Sequence, residues 1–117
     1  MNIFFKADTQ MPLYLPYPRF LLGSKLSLSA REAYMLLLER ARLSQQNEWV
    51  DAGRNVFVIY PLNELAADLG KSRNRVGVIL NELENADLLV RKRVIFNGAN
   101  RILLKVPQFE NDASNAL

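Results

Sequence analysis

The sequence predicts an α+β fold in which three helices and a short strand precede a C-terminal β-hairpin. Three observations carry this prediction. Apolar residues recur at helical spacing in three segments. The second and third of these segments are separated by only Gly70 and Lys71. A strong turn signal, Asn97-Gly98, lies between two β-branched runs near the C-terminus.

Composition narrows the function classes. The 117 residues have room for one domain with one core, and half of them are apolar. The chain has no cysteine and no histidine, which argues against disulfides, thiolate zinc sites and histidine-based catalysis. No stretch is long and apolar enough for a membrane span, and no secretory signal is present, so we expect a cytoplasmic protein. We expect no enzyme activity, metal, cofactor or small-molecule substrate.

The first 22 residues predict an extended arm. They combine prolines with large aromatic residues: Pro12, Pro16 and Pro18 with Phe4, Phe5, Tyr14, Tyr17 and Phe20. Prolines at this density disfavour a helix. Because so much apolar surface is unfavourable in water, we expect the arm to pack on this domain or on a second copy. The second possibility predicts a homodimer.

The first helix is predicted to begin at Ser29, which would cap it together with Glu32 in a capping box. Its buried stripe is predicted at Ala33, Leu36, Leu37 and Leu43, with the aliphatic stem of Arg40. The helix is expected to end over residues 45–47. After a turn at residues 51–53, the β-branched and aromatic run Val56–Tyr60 predicts a strand. Trp49, between helix and strand, is expected to pack in a core or an interface.

The next two helices form the most characteristic pattern. The second follows Pro61 and is predicted to end at Gly70 in a left-handed conformation. Ser72 is predicted to cap the third helix. The two buried stripes are predicted at Leu62, Leu65, Ala66 and Leu69, and at Val76, Ile79, Leu80 and Leu83. Two helices joined by so short a turn containing glycine are typical of a helix-turn-helix.

The C-terminal segment predicts a basic hairpin that completes a winged helix-turn-helix. Leu88–Phe96 and Ile102–Val106 are the two predicted strands, and the lone earlier strand is expected to join them in a small antiparallel sheet. We therefore expect an N-terminal arm over residues 1–22, a winged-helix domain over 23–107 and a disordered tail over 108–117.

The charge distribution favours a polyanionic partner. Residues 1–70 carry seven basic and seven acidic side chains, whereas residues 71–105 carry eight basic and three acidic ones. A charge excess concentrated in one third of a chain is typical of nucleic-acid binding. A merely solvated basic face is the alternative.

The exposed face of the third helix is the predicted reader of double-stranded DNA, since the N-terminal part of this helix meets base edges in a helix-turn-helix. Arginine can bind guanine, asparagine can bind adenine, and valine can contact a thymine methyl. A helical glycine is about 1 kcal/mol less favourable than alanine, which suggests a close approach of DNA at Gly77. The predicted contacts are Ser72, Arg73, Asn74, Arg75, Gly77, Val78 and Asn81. The alternative is that the arginines only solvate the helix and that the glycine is incidental.

Basic residues at the turn and on the hairpin form a second predicted contact region. They are Lys71, Arg91, Lys92, Arg93 and Arg101. Contacts from these positions would fix the protein on the phosphate backbone without reading bases. Arg101 is the candidate for reaching a minor groove. The alternative is an exposed basic strand that discourages edge pairing.

From about Tyr14 to Val106 the chain also resembles a known family. The residues that carry the resemblance are Pro18-Arg19-Phe20-Leu21, Leu28-Ser29, Glu32-Ala33, Leu37-Leu38, Arg40, Leu43-Ser44, Trp49-Val50-Asp51, Gly53-Arg54, Val56, Tyr60, Glu82-Leu83-Glu84 and Leu88. With them the chain resembles the N-terminal domain of the plasmid replication initiator A family (RepA_N) of Gram-positive bacteria. The segment from Arg40 through Ser44 to Trp49-Val50-Asp51 is its most specific part.

The resemblance implies a winged helix that binds repeated sites at a plasmid origin, commonly as a dimer, with Ser72–Asn85 as the reading helix and Leu89–Val106 as the wing. Two departures stand out. Asp87 replaces a glycine that family members usually carry, and aspartate tolerates the left-handed conformation. Nothing after Gln108 could form the C-terminal domain of full-length initiators, so we expect either a truncated initiator or a stand-alone relative.

Two other functions are compatible with the residues. A transcriptional regulator could use the same fold at a promoter operator. An interaction module could use the aromatic arm for assembly and leave the basic face idle.

Overall fold

Three α-helices precede a two-stranded antiparallel sheet, as predicted for a winged helix-turn-helix. The computed structural model describes residues 1–93 and 100–108, without the side chains of Arg93 and Asn100. The elements are α1 (Leu28–Gln46), α2 (Leu62–Leu69), α3 (Arg73–Asn85), β1 (Leu89–Arg93) and β2 (Asn100–Leu104), after a 3-10 turn at Arg19–Leu21. The predicted Asn97-Gly98 turn, the end of the first hairpin strand and the tail from residue 109 lie outside the described residues. None of the described helices meets the length and apolarity that a membrane crossing requires.

The start of α1 differs from the prediction. Ser27, two residues before Ser29, is the N-cap, and its Oγ accepts a hydrogen bond from the amide of Ala30 at 3.2 Å. Glu82 of α3 selects this position: its carboxylate oxygens accept from the Ser27 backbone N–H at 2.7 Å and from the Ser27 hydroxyl at 2.8 Å. A glutamate from another helix thus takes the part in the capping box that was predicted for Glu32.

This cap makes the stability of the fold depend on an ionised carboxylate. The hydrogen bonds from Ser27 lower the pKa of Glu82 below its ordinary value of 4.5. The pKa of Glu82 is lower in the folded chain than in the unfolded chain. The cap therefore stabilises the fold fully above the pKa that Glu82 has in the unfolded chain, and this stabilisation is lost as pH falls through the pKa that Glu82 has in the folded chain.

We expect Glu82→Gln to lower the free energy of unfolding by about 1 kcal/mol at pH 7, a value reduced for solvent screening at this half-exposed site. The deficit should shrink at acidic pH, once the pH falls through the depressed pKa of Glu82 and the wild-type carboxylate is itself protonated. Urea unfolding at neutral and at acidic pH measures it. Glu39→Gln, at an exposed position of α1, is the matched control. The same loss in both variants would contradict a specific role for the cap.

The turn between α2 and α3 confirms the prediction in detail. Gly70 adopts φ +66° and ends α2, and the Ser72 hydroxyl accepts from the Arg75 amide at 3.1 Å and caps α3. Asp87 adopts φ +62°, the conformation expected where the family usually has glycine. Its carboxylate also pairs with Lys105 at 2.7 Å.

The predicted strand at Val56–Tyr60 is much shorter in the structure. Within residues 1–93 and 100–108 it forms isolated bridges, between Val50 and Val56 and between Val58 and Ile102. The Asp51 carboxylate accepts from the backbone N–H groups of residues 53 and 55, both at 2.9 Å, and folds this segment back on itself. The Val58–Ile102 bridge, with two reciprocal hydrogen bonds of 2.8 Å, still attaches the segment to β2 where the prediction placed it.

The core lies where the three helices and the inner face of the hairpin meet. The entire predicted stripe of α3 is buried, as are Ala33 and Leu37 of α1 and Leu65 and Ala66 of α2. Leu43 was predicted in the α1 stripe but is 56% exposed, whereas the next residue, Ser44, is buried in the last turn of α1. Trp49, expected to be packed, is also about half exposed in this chain.

The arm packs on the domain through its second part, from Leu15 onward. Leu21 is fully buried, and Phe20 meets the ring of Tyr34 edge to face with 5.5 Å between centroids. The side chains of Ile3, Phe4, Phe5, Met11, Leu13 and Tyr14 remain exposed. The first part of the arm therefore has no cover within the described chain.

Candidate nucleic-acid interface

The N-terminal half of α3 presents polar and basic side chains to solvent. Arg73, Asn74 and Arg75 are exposed, and so are Val78 and Asn81 further along the same helix. The buried stripe fixes this orientation, because side chains on one face of a helix leave the opposite face outside. The described part of the chain leaves these positions accessible to a ligand.

The beginning of α3 offers an additional anion-binding feature. Ser72 engages the amide of Arg75, and the Ser72 carbonyl accepts from Val76. The amides of Arg73 and Asn74 come before the first intrahelical bond and point out of the helix end. Exposed Lys71 lies directly before the cap. Amide groups at a helix N-terminus with a neighbouring cation favour binding of a phosphate.

Arg91, which the sequence predicted as a phosphate contact of the hairpin, is held by residues of α3. Its Nη2 donates to the Glu84 carboxylate at 2.7 Å and to the side-chain oxygen of Asn81. The ion pair lowers the pKa of Glu84. Arg91 therefore holds β1 against α3 and orients Asn81, while some of its five N–H donors remain available for a phosphate.

The hairpin divides its side chains between two faces. Leu89 and Ile102 are buried against the core, whereas Lys92 and Arg101, paired in register, lie on the opposite face. The Arg101 guanidinium lies over the ring of Phe57, 4.1 Å from its centroid. The predicted cations of the wing are thus divided. Arg91 points to α3, whereas Lys92 and Arg101 point away from it.

Sequence reasoning missed the residues that hold these cations. Glu84 precedes Arg91 by seven positions in another element, and Phe57 lies in the shortened strand far from Arg101 in sequence. Neither spacing corresponds to a local pattern. The side chain of Arg93, also predicted to contact DNA, lies outside the described part of the structure, although its backbone pairs with Asn100. Across residues 1–93 and 100–108, no three side chains of metal-ligating type come together.

Sequence and structure relate this chain to known proteins. The 41 kDa protein of Lactobacillus helveticus is 31% identical over 94% of this chain. The match spans 35% of the length of that relative. A solved structure of an MDR initiator is 29% identical with a TM-score of 0.69, covering 89% of this chain and 85% of that one. A Rep–DNA complex is 28% identical with a TM-score of 0.70, covering 85% and 79%.

A family profile described as the N-terminus of replication initiator protein A (RepA) matches residues 13–116. This range contains the whole described helix-turn-helix and both strands of the hairpin. The matching range covers most of the chain. The chain belongs to the family of RepA N-terminal domains.

Proposed function

We propose that this chain binds double-stranded DNA sequence-specifically, in the cytoplasm, at repeated sites of a plasmid replication origin. One observation carries the proposal: α3 buries its apolar stripe and leaves the arginines and asparagines of its first turns exposed. A helix presented in this way fits the major groove. The similarity to a Rep–DNA complex over 85% of this chain supports DNA binding.

Base reading belongs to the exposed side chains of α3. The guanidinium groups of Arg73 and Arg75 can each donate two hydrogen bonds to guanine, and Asn74 can pair with adenine. Val78, 54% exposed, offers an apolar contact for a thymine methyl. Asn81 already binds Arg91 through its side-chain oxygen, which keeps its amide in one orientation.

Phosphate contacts fix the register of the protein on the duplex. We propose that Lys71 and the free amides at the start of α3 contact phosphates of the DNA strand beside the reading helix. Lys92, Arg93 and Arg101 are proposed to contact the backbone from the wing, and Arg91 acts mainly by positioning α3.

A footprint of the purified chain on plasmid DNA tests the proposal directly. Protection of repeated sites within the origin is the expected result. Protection of a single promoter operator instead would favour a transcriptional regulator on the same fold. No saturable protection on any plasmid sequence would overturn DNA binding.

Lys71→Ala should weaken binding to specific and nonspecific duplexes alike. Because a phosphate contact releases a counterion, the slope of log affinity against log salt should flatten by about one unit. Titrations of both duplexes over a range of salt concentrations measure the slope. Arg42→Ala is the control, since Arg42 lies two residues from Arg40, which faces α2, and so points away from the α2–α3 pair. Equal slopes for wild type and Lys71→Ala would exclude the contact.

Gly77→Ala separates stability from binding. A Cβ at this position meets no atom within 4 Å, and the residue lies inside α3. The substitution should therefore raise the free energy of unfolding by about 0.4–1 kcal/mol. If DNA approaches the helix here, the same Cβ should weaken DNA binding several-fold. Urea unfolding and a DNA titration of one preparation measure both, and undiminished DNA affinity would show that the glycine is incidental.

We further propose that the chain acts as a homodimer through its arm. The exposed apolar side chains over residues 3–14 support this proposal, since a stable monomer rarely leaves so many together in water. Two copies would match paired sites on the origin.

A further inference from the structure

An open groove of about 510 Å³ lies between the second half of α1 and the outer face of the hairpin. Its floor is apolar: Leu38 and Ala41 come from α1, and Val90 and Leu103 come from the two strands. All four side chains are only partly buried, so the floor is reachable from solvent. A concavity of this size and composition suits the apolar side chains of a ligand.

The charged side chains that line the groove are all basic, and the neutral polar residues Gln45 and Asn55 lie among them. Arg42, Arg54, Lys92 and Lys105 line the rim of the groove, and no acidic side chain of the described residues does. Lys105 is paired with Asp87. The other three form no ion pair with any residue in the described part of the chain. The rim therefore holds three cations without a close ion pair, of which Lys92 lies near enough to Asp51 to lower the pKa of that carboxylate.

The groove and the exposed face of α3 lie on different faces, although Lys92 both lines the groove and is a proposed phosphate contact of the wing. Leu89 and Ile102 of the hairpin are buried on the side where α3 packs. Val90 and Leu103 alternate with them along the strands and therefore point to the opposite side. A ligand in the groove leaves the exposed face of α3 accessible.

We propose that this groove docks an acidic amphipathic segment of a partner protein. Its apolar side chains would lie on the floor, and its carboxylates would meet Arg42, Arg54 and Lys92. Charge decides against the arm of a second copy, because residues 1–13 carry no excess of negative charge, with Lys6 against Asp8. The apolar floor decides against nucleic acid, since phosphates gain nothing from aliphatic side chains.

The probe is a fluorescein-labelled synthetic peptide of about 14 residues, roughly 21 Å long as a helix, with leucine at helical spacing and glutamate elsewhere. A scrambled peptide of equal composition is its control. Fluorescence anisotropy with the 117-residue chain should give saturable binding for the amphipathic peptide and binding about tenfold weaker or less for the scrambled one. The double variant Arg42→Glu/Arg54→Glu should weaken the amphipathic peptide about tenfold or more.

The double variant Arg19→Glu/Lys25→Glu changes net charge equally at exposed positions outside the groove and should bind the peptide within about twofold of wild type. Equal losses in the two double variants, or equal affinity for the two peptides, would overturn the proposal. The proposal would also be overturned if the chain bound the amphipathic peptide only after deletion of residues 1–13, because the arm would then fill the groove of the intact chain. If Arg42→Glu/Arg54→Glu lowered the affinity for DNA more than Arg19→Glu/Lys25→Glu does, the groove would be assigned to nucleic acid instead.

Discussion

Arg73→Ala/Arg75→Ala should lower the affinity for the specific DNA site by about 2–6 kcal/mol, which is at least about 30-fold. Each arginine is expected to read a guanine through two hydrogen bonds, and each such contact contributes about 1–3 kcal/mol of discrimination. Both side chains are exposed at the start of α3, and neither forms a side-chain hydrogen bond or close ion pair with the described residues, although Arg75 lies near enough to Glu82 to lower the pKa of that carboxylate. The loss should therefore fall on recognition and leave the fold intact.

Two duplexes at one salt concentration measure this effect. The specific site should lose much more affinity than a nonspecific duplex, because the latter is bound mainly through phosphates. Asn85→Ala, at the exposed C-terminal end of the same helix, is the matched control and should bind the specific site like wild type. If the double variant lost both duplexes equally, the arginines would be phosphate contacts, and the base-reading assignment would be wrong.

Contacts with α1 and β1 hold the reading helix in place. This support should increase the loss of DNA affinity that we expect for Arg73→Ala/Arg75→Ala. Glu82 ties the second half of α3 to the cap of α1, and Glu84 ties it to β1 through Arg91. Two adjacent anchors keep the exposed face in one orientation before DNA arrives. A preorganised helix loses little conformational entropy on binding. A larger part of the free energy of each base contact therefore contributes to the affinity for DNA.

Local chemistry made much of this fold predictable. The stripe of α3, the glycine that ends α2 and the serine that caps α3 all depend on residues within a few positions of one another. Such features follow from helical periodicity and from capping alone. The exposed face of α3 could be predicted for the same reason, since it is the complement of the buried stripe.

Contacts between distant residues account for the differences. Ser27 caps α1 instead of Ser29 because Glu82, 55 residues away, binds it. Arg91 and Arg101 were predicted as DNA contacts of the hairpin, and the sequence did not indicate that a glutamate of α3 holds the first or that an aromatic ring lies against the second. No periodicity encodes a partner that only the folded chain brings near, and the outer groove was unpredictable for the same reason.

Deletion of residues 1–13 should convert the chain to a monomer and weaken its binding to paired sites by about 100-fold or more. These residues carry exposed apolar side chains, with Phe4 86% exposed, whereas the packed part of the arm begins at Leu15. Because the deleted part covers little of the domain, the free energy of unfolding should stay within about 0.5 kcal/mol of wild type. The loss of affinity for paired sites would instead come from separating the two subunits, because two reading helices in one dimer bind paired sites with an avidity that separate monomers lack.

Sedimentation equilibrium and DNA titration together decide this prediction. The deleted chain should sediment as a monomer and retain wild-type affinity for one isolated half-site, because α3 is untouched, while its affinity for two adjacent half-sites falls. Lys6→Ala, within the same segment, changes its charge without removing apolar surface and should remain dimeric. An intact chain that sediments as a monomer at high concentration would refute the dimer. If deletion weakened the single half-site as strongly as the pair, the arm would contact DNA itself, since avidity acts only where two sites are joined.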